Sequence, residues 1–398
     1  MANLVATDIY FNKFCYFPEA GSTICEKLQD CYRQFSENQN DKFYTRHSVI
    51  KQTIFIAATD QSEYDQSKQK IFACAKDFFG ELPPTSVLAQ TPEKESLAVE
   101  FVIFEGLNPD EILHKNNAEA SWLIINHGGS KILVASNLGE NSPNGNILLQ
   151  SETAFRQLDQ ILTVEGMEFS DIVRQWNYIE GITEIYDETK SPSQHYQIFN
   201  DVRTKYYSKS NFKNGFPAAT GIGMDFGGIV IDFIAAKVDG EKNSIVAVKS
   251  PVQLDAYTYS AEVLAENNTM CHFCRTTPKF ERAKILITPE RKWILISGTA
   301  AISGQESSDQ MQVDYQTEMT IENILRLISP ENMKNHGITG SCMASMKSLR
   351  VYVKFRKDIP QVKAVCLNYF PEIPIVYVVA DICRPELLVE IEGVAVLS

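Results

Sequence analysis

The sequence predicts an α/β (α+β) protein made of two similar units, each a mixed β-sheet packed by helices. A helix-then-strand pattern at residues 153–182 returns at residues 315–355, which indicates an internal duplication. The length of 398 residues suits two domains of ordinary size, and a hydrophobic fraction of 44% supplies a core for each. The expected boundary lies in the polar segment 186–197, which gives domains 1–190 and 191–398.

Shorter patterns define the rest of the first unit. Runs rich in Val, Ile and Phe at residues 48–59 and 96–107 predict strands. Residues 62–82, between them, place apolar side chains near helical spacing and predict a helix. Two apolar runs within residues 121–138 flank a glycine pair, which predicts a β-hairpin.

The C-terminal segment, residues 378–398, predicts two short strands joined by a turn at Pro385. Glu390 and Glu392 stand in the second strand, and residues two apart on a strand share a face. One interpretation is an edge strand with a solvated acidic face. The other is a carboxyl held in an apolar wall, where lost hydration raises its pKa and makes it a general acid near neutral pH.

Charge and hydropathy narrow the function classes. Fifty acidic residues against 37 basic ones give a net charge of −13, which disfavours general binding of nucleic acid or of an anionic membrane. A small anionic substrate remains compatible, because its site needs only a few local cations. Neither a long apolar run nor a signal-peptide pattern is present, so we expect a cytoplasmic protein.

The cysteine pattern predicts buried thiols rather than a metal site. The nine cysteines are scattered among apolar neighbours, which is typical of reduced thiols in a reducing compartment. Cys271 and Cys274, with His272 between them, resemble half a zinc site, but no second ligand pair accompanies them. The six histidines show no ligand spacing either, so the sequence predicts no metal.

Residues 199–207 offer an arginine, Arg203, close to two phenols, Tyr206 and Tyr207. An arginine grips a carboxylate in a bidentate fork, so this segment is a candidate for binding an anionic substrate. The alternative is a surface arginine in a loop.

Two small-residue segments are candidates for close approach to a ligand. Residues 216–228 contain Thr220 and Gly221 but lack the spacing of a phosphate-binding loop, so no nucleotide is implied. A buried strand carries Gly298, Thr299 and Ala300 to its end, where small side chains leave room for a ligand or allow close sheet packing.

Several of these segments resemble known families. The C-terminal LVEIEGVAV is similar to the signature of the RidA/YjgF superfamily. A more specific resemblance is to the chorismatases, enzymes related to that superfamily that remove the enolpyruvyl group of chorismate. Four segments carry it in order: FNDVRTKYY at 199–207, FPAATGIGMDF at 216–226, FERAKIL with ISGTAAISGQES within 280–307, and ADICRPELLVEIEG at 380–393.

The resemblance implies roles for individual residues. Glu390 would be the general acid that protonates the enolpyruvyl ether, and no organic cofactor or metal would be required. Cys383 resembles the subtypes that form hydroxybenzoates, so 3-hydroxybenzoate is the expected product, with 4-hydroxybenzoate as a possible companion. The implied substrate-binding residues are Arg203, Tyr207, Thr220, Gly221, Gly298, Thr299, Ala300, Cys383 and Arg384.

Three alternatives stay open at this stage. The first is a chorismate hydrolase that releases a dihydroxycyclohexadiene carboxylate. The second is a RidA-type enamine or imine deaminase, although Ile375 stands where such enzymes carry an arginine. The third is a binding protein that would retain Arg203 but need no protonated Glu390. RidA proteins are trimers, so either a monomer or a homotrimer is expected.

Overall fold

The computed structural model describes residues 10–38, 48–105, 107–117, 119–139, 146–186, 193–238, 244–260, 276–288, 291–339 and 343–397. Mixed β-sheets with helices packed on one face build the described chain, so the predicted α+β class is confirmed. The described residues form three principal sheets, which follow one another along the chain.

The first sheet has four strands in the order β1-β4-β2-β3. Helix α2 starts where the Asp60 side chain accepts a hydrogen bond from the backbone N–H of Glu63, and it ends at Gly80, whose φ is +75°. The strand and helix predictions for this region are confirmed. The elements are β1 (Tyr10–Tyr16), α1 (Ile24–Glu37), β2 (Val49–Ile56), α2 (Gln61–Phe79), β3 (Thr85–Ala89) and β4 (Leu97–Glu105).

The second sheet has six strands in the order β11-β8-β12-β7-β6-β5. A separate two-stranded sheet, β9-β10, falls between β8 and β11 along the chain. The predicted hairpin and the predicted helix-then-strand pattern are both present. The elements are β5 (Ile112–Asn116), β6 (Ser121–His127), β7 (Ser130–Leu138), α3 (Ile147–Val164), β8 (Ile172–Glu180), β9 (Ile185–Tyr186), β10 (Ser193–Gln194), α4 (His195–Tyr207), β11 (Ala218–Met224) and β12 (Ile229–Val238).

The third sheet also has six strands, in the order β13-β14-β15-β20-β18-β19. The strand predicted after Pro385 is present as β20, whereas the strand predicted before it, β19, begins at Ile375 and already ends at Val379. The elements are β13 (Ser244–Val248), β14 (Ala283–Ile287), β15 (Lys292–Ala300), the short pair β16 (Ile302–Ser303) and β17 (Glu306–Ser307), α5 (Val313–Leu327), α6 (Pro330–Asn335), β18 (Ala344–Val353), α7 (Ile359–Tyr369), β19 (Ile375–Val379) and β20 (Val389–Leu397).

The three sheets share one arrangement. In each, a parallel pair lies beside a final strand that is antiparallel to its neighbours: β2 and β3 with β4, β8 and β11 with β12, and β18 and β19 with β20. The predicted duplication corresponds to the second and third sheets, and the first sheet is a further, shorter copy. The expected boundary at residue 190 divides the second sheet, since β8 precedes it and β11 follows it. The sheets separate instead between β4 and β5 and between β12 and β13.

The inner faces of the three sheets pack against one another in a common apolar core. Buried ion pairs link the three sheets in a ring. A carboxylate on β12 pairs with a cation of the first sheet, one on β20 with a cation of the second sheet, and one on β4 with a cation of the third sheet. The pairs are Lys51 with Asp232 (2.8 Å), Arg174 with Glu392 (2.6 Å) and Arg350 with Glu100 (2.5 Å). A carboxylate buried in this ring would be strongly destabilising without its partner.

One cysteine pair departs from the expectation of reduced thiols. Cys25 on α1 and Cys74 on α2 form a disulfide, because the two helices pack side by side and bring together residues 49 positions apart. Spacing along the chain gives no sign of such a pairing. Among the helices of the described residues, none has the length and apolar character needed to cross a membrane.

Candidate active site

A cavity of about 780 Å³ lies between the second and third sheets. The second sheet contributes α4 and β11, and the third contributes the ends of β15 and β20 that face them. The residues that line the cavity include Tyr196, Asn200, Arg203, Gly221, Tyr259, Arg282, Gly298, Ala300, Cys383, Arg384 and Glu390.

Glu390 is the buried acid of this cavity. Its side chain lies in the cavity wall and the residue is only 5% exposed. Burial raises the pKa of its carboxyl to about 8, and the nearby charge of Glu392 acts in the same direction. Within the described part of the chain, no group hydrogen-bonds this carboxyl. A pKa raised in this way favours the protonated form of the carboxyl near neutral pH.

Glu392, two residues further along β20, is held as a carboxylate. Burial opposes its ionisation, but Arg174, Arg350 and Lys13 outweigh that effect and hold its pKa below the ordinary value. It accepts hydrogen bonds from Arg174 (2.6 Å) and Trp176 (2.8 Å). The two glutamates therefore share a face of the strand, as predicted, but that face is buried and not solvated.

Backbone geometry leaves the space that the Glu390 carboxyl fills. The pairing of β15 with β20 is irregular between Ile296 and Thr299, and Gly298 lies in that irregularity. A Cβ atom on Gly298 would lie 2.0 Å from Glu390 Oε1, so a larger residue there would force the carboxyl to move. The Gly298 N–H donates to Thr220 Oγ1 at 3.0 Å, which fixes this backbone against β11.

Three arginines bring cationic groups to the cavity wall, which also contains the carboxylate residues Glu306, Asp309 and Glu386. Arg203 is 1% exposed and Arg282 is 3% exposed, and the Nε of each has no hydrogen-bond partner among the described residues. Arg282 donates to Tyr259 Oη at 2.6 Å. Arg384 donates to the Gln305 carbonyl oxygen at 2.9 Å. Buried arginine N–H groups with bonding capacity to spare are suited to binding carboxylates.

Helix α4 presents one face to the cavity. Tyr196, Asn200 and Arg203 follow one another at spacings of four and three residues, so they share a face of the helix. Asn200 Oδ1 accepts a hydrogen bond from Arg203, which orients the guanidinium. The Tyr196 ring lies against Gly221, where a Cβ atom would approach it to 2.8 Å. Arg203 is thus a buried helical residue and not a surface residue in a loop.

Comparison with known proteins agrees with this architecture. Residues 113–235, which nearly coincide with the second sheet, match the family described as "Chorismatase FkbO/Hyg5-like, N-terminal". A chorismatase of Streptomyces rapamycinicus is 32% identical over 231 residues, covering 57% of this chain and 64%, just under two thirds, of that protein. A 3-hydroxybenzoate synthase of Streptomyces hygroscopicus is 30% identical over 287 residues, covering 70% of this chain and 77% of that protein.

The chain belongs to the chorismatase family. A crystal structure of a chorismatase, 22% identical in sequence, superposes with a TM-score of 0.68 over 98% of this chain and 99% of that one. This match shows that all three sheets belong to the chorismatase fold.

Seven of the ten predicted site residues line the cavity of this chorismatase: Arg203, Gly221, Gly298, Ala300, Cys383, Arg384 and Glu390. Three do not. The Tyr207 hydroxyl donates to Gln175 at 2.8 Å inside an aromatic cluster, and Thr299 Oγ1 donates to the Ser297 carbonyl oxygen. Thr220 lies behind the cavity wall, where its hydroxyl contacts Glu392.

The sequence analysis missed Tyr196, Asn200, Tyr259 and Arg282 as residues of the cavity. Tyr196 and Asn200 stand seven and three residues before Arg203, a signal that becomes readable once that segment is known to be a helix. Arg282 directly precedes β14 within the quoted FERAKIL segment, and it could have been found as a charged residue beside a buried strand.

The described residues contain no cluster of His, Cys, Asp or Glu that could hold a metal ion. The candidate half-site at Cys271, His272 and Cys274 lies outside the described residues. Ile375, the residue considered for the imine-hydrolysis alternative, lies on β19 and does not line the cavity.

Proposed function

We propose that this chain removes the enolpyruvyl group of chorismate as pyruvate and forms 3-hydroxybenzoate, with 4-hydroxybenzoate as a possible second product. The single observation that carries the proposal is the buried Glu390 carboxyl, whose pKa of about 8 keeps it protonated in a cavity lined by arginines. An enol ether is cleaved by protonation of its methylene carbon, which requires such an acid. The relative named 3-hydroxybenzoate synthase supports the choice of product.

The charges of the cavity suit this substrate. Chorismate carries two carboxylates, one on the ring and one on the enolpyruvyl group. Arg203 and Arg282 lie in the buried wall, and Arg384 comes from the loop between β19 and β20. We infer that the carboxylates are held among these guanidinium groups, which leaves the ether within reach of Glu390.

The proposed reaction balances without water. Glu390 gives its proton to the methylene carbon, and the positive charge develops on the carbon that bears the ether oxygen. The neighbouring ring hydroxyl then displaces pyruvate from the ring, forms an epoxide and returns a proton to Glu390. The epoxide then opens, its oxygen gains a proton and a ring carbon loses one, which gives the aromatic product with no net change in protons. Chorismate is thereby converted to one hydroxybenzoate and one pyruvate.

Exclusion of water would decide between this route and hydrolysis to the diol. Ala300 and Cys383 add small, weakly polar surface to the cavity. Burial, with the charge of Glu390 next, raises the pKa of the Cys383 thiol to about 12, so it stays neutral. A neutral thiol beside the acid fits a role in shaping the pocket and not in nucleophilic attack.

The test is incubation with chorismate, with products followed by NMR for the wild type and Glu390→Gln. We expect pyruvate and 3-hydroxybenzoate in equal amounts, and a loss of about 10²–10⁴-fold in kcat for the variant. Glu165→Gln is the control, because Glu165 is equally buried but pairs with Lys131 at 2.9 Å outside the cavity. The diol would overturn the proposed product, and no turnover would overturn the proposed substrate.

We propose that the active form is a monomer or a homotrimer, because RidA proteins are trimers whereas a duplicated chain supplies some of those contacts itself. Specific activity that stays constant on dilution would favour the monomer. Specific activity that falls together with the mass of the particle in solution would favour the homotrimer. The cytoplasmic location stays a prediction from the sequence.

A further inference from the structure

The hydroxyl group of Thr220 occupies a junction behind the cavity wall. Thr220 is 1% exposed, and its Oγ1 donates to Glu392 Oε2 at 2.5 Å. The same oxygen accepts from Arg174 at 2.6 Å and from the Gly298 N–H at 3.0 Å. One donor and two acceptor positions are all that a hydroxyl offers, so its bonding capacity is used completely.

Both residues that Thr220 joins border Glu390. Glu392 lies two positions along β20 on the same face, and its negative charge disfavours ionisation of Glu390. Gly298 lies against Glu390 Oε1, as the 2.0 Å approach of its missing Cβ shows. Thr220 therefore acts on the position of the acid from two sides without touching the cavity.

We propose that Thr220 is a positioning residue for Glu390. Its hydroxyl holds the Glu392 carboxylate and the Gly298 N–H group, and these two neighbours keep the Glu390 carboxyl directed into the cavity. This inference rests on the proposed role of Glu390. The Gly298 N–H donates its hydrogen bond to the Thr220 hydroxyl and not to Glu390. Without it, that N–H would be left to hydrogen-bond the Glu390 carboxylate, which would favour the ionised form.

Other charged and titratable groups also face Glu390. Arg174 from β8 and Arg282 beside β14 favour the carboxylate form. Tyr196 on α4 and Cys383 on the loop before β20 are the neutral neighbours, and burial raises the pKa of each. Of these four groups, Arg174 is the one that hydrogen-bonds the Thr220 hydroxyl. Arg174 also pairs with Glu392 at 2.6 Å, and that ion pair does not depend on the hydroxyl.

The chain contains an internal counterpart of this junction with no acid beside it. By strand register, Ser86 of the first sheet corresponds to Thr220, and Asp232 of the second sheet corresponds to Glu392. Ser86 Oγ donates to Asp232 Oδ1 at 2.5 Å, as Thr220 does to Glu392. The position that corresponds to Glu390 is Val230. A hydroxyl therefore hydrogen-bonds a buried carboxylate at both junctions, but only the carboxylate bound by Thr220 has an acid two positions away on its strand.

The test compares Thr220→Val, Thr220→Ser and the matched control Ser86→Ala by steady-state kinetics across pH. For Thr220→Val we expect kcat to fall by about tenfold or more with KM changed less than threefold. We also expect the pH at which kcat declines on the alkaline side to move down by about one unit. Thr220→Ser restores both values, and Ser86→Ala changes neither although it lowers stability. Thr220→Ala carries the same prediction should the valine variant not fold.

Three results would overturn the proposal, and they can be told apart. A wild-type pH profile and kcat in Thr220→Val, with Glu390→Gln inactive, rejects the positioning role alone. Full activity in Glu390→Gln rejects the acid role and this inference with it. Equal effects of Thr220→Val and Ser86→Ala on the pH profile would show a purely structural role and would also reject the proposal.

Discussion

Glu390 and Glu392 lie two residues apart on one face of β20, yet burial and neighbouring charges favour the protonated form of one and the ionised form of the other. The pKa of Glu390 is raised to about 8, whereas Arg174 and Arg350 help to hold the pKa of Glu392 below its ordinary value. Two neighbouring carboxyl groups whose pKa values are shifted in opposite directions are typical of active sites that use one of them as an acid. The relationship leads to testable consequences for stability and activity.

Glu390→Gln is expected to stabilise the protein above pH 4.5. An acid whose pKa rises on folding, here from 4.5 to about 8, takes up protons as the chain folds, so its contribution to stability falls across that pH window. The shift corresponds to at most about 5 kcal/mol at pH 8. Chemical denaturation at pH 4.5 and pH 8 measures the effect. An equal free energy of unfolding for wild type and variant at both pH values would contradict the account.

Gly298→Ala should displace the acid. The added Cβ would lie 2.0 Å from Glu390 Oε1, so the carboxyl or the β15 backbone must move. A shift of about 1 Å at a reacting group costs on the order of 10²-fold in rate. We expect kcat to fall by about this factor, as measured by pyruvate release. A variant that folds with wild-type kcat would show that the carboxyl does not need this space.

Arg203→Gln should weaken substrate binding. Arg203 is buried beside the cavity with its Nε unpaired in the described structure, and loss of a charge-assisted hydrogen bond costs about 1.5–3 kcal/mol. KM for chorismate should rise by roughly 10–100-fold. Arg326→Gln is the control, since Arg326 is exposed on α5 and pairs with Glu322 of the same helix. An unchanged KM in Arg203→Gln would remove this arginine from the binding site.

Tyr207→Phe tests whether the Tyr207 hydroxyl stabilises the fold or binds the substrate. The sequence predicted Tyr207 as a substrate-binding residue, but its hydroxyl donates to Gln175 away from the cavity. We expect KM within a factor of two of the wild type and a loss of about 1 kcal/mol in stability. Kinetics and denaturation of the same preparation give both values. A large rise in KM with no loss of stability would favour the original assignment.

Several residues that face the cavity from the strands could be predicted from the sequence. Period-two spacing placed Glu390 and Glu392 on one face, and strand-end chemistry singled out Gly298 and Ala300. It did not show which carboxylate would be paired, because Arg174 approaches Glu392 from a strand 218 residues away. The pKa difference between the two acids therefore depends on tertiary contacts that local spacing does not encode.

Two other features escaped sequence reasoning for related reasons. Among the described residues, the first sheet has four strands where the other two have six, so its repeat is harder to recognise from the sequence. Thr220 was predicted as a contact to substrate because small residues line ligand sites. In the structure its side chain points away from the cavity, as alternation along β11 requires when Gly221 faces the cavity.

The most direct test of the central claim is a titration of the Glu390 carboxyl by ¹³C NMR in the free protein. The Glu390→Gln spectrum assigns the resonance by its disappearance. We predict a carboxyl that titrates near pH 8, several units above an ordinary glutamate. Titration near pH 4.5 would contradict the account, because the group would then be ionised at neutral pH and could not donate a proton to the enolpyruvyl ether.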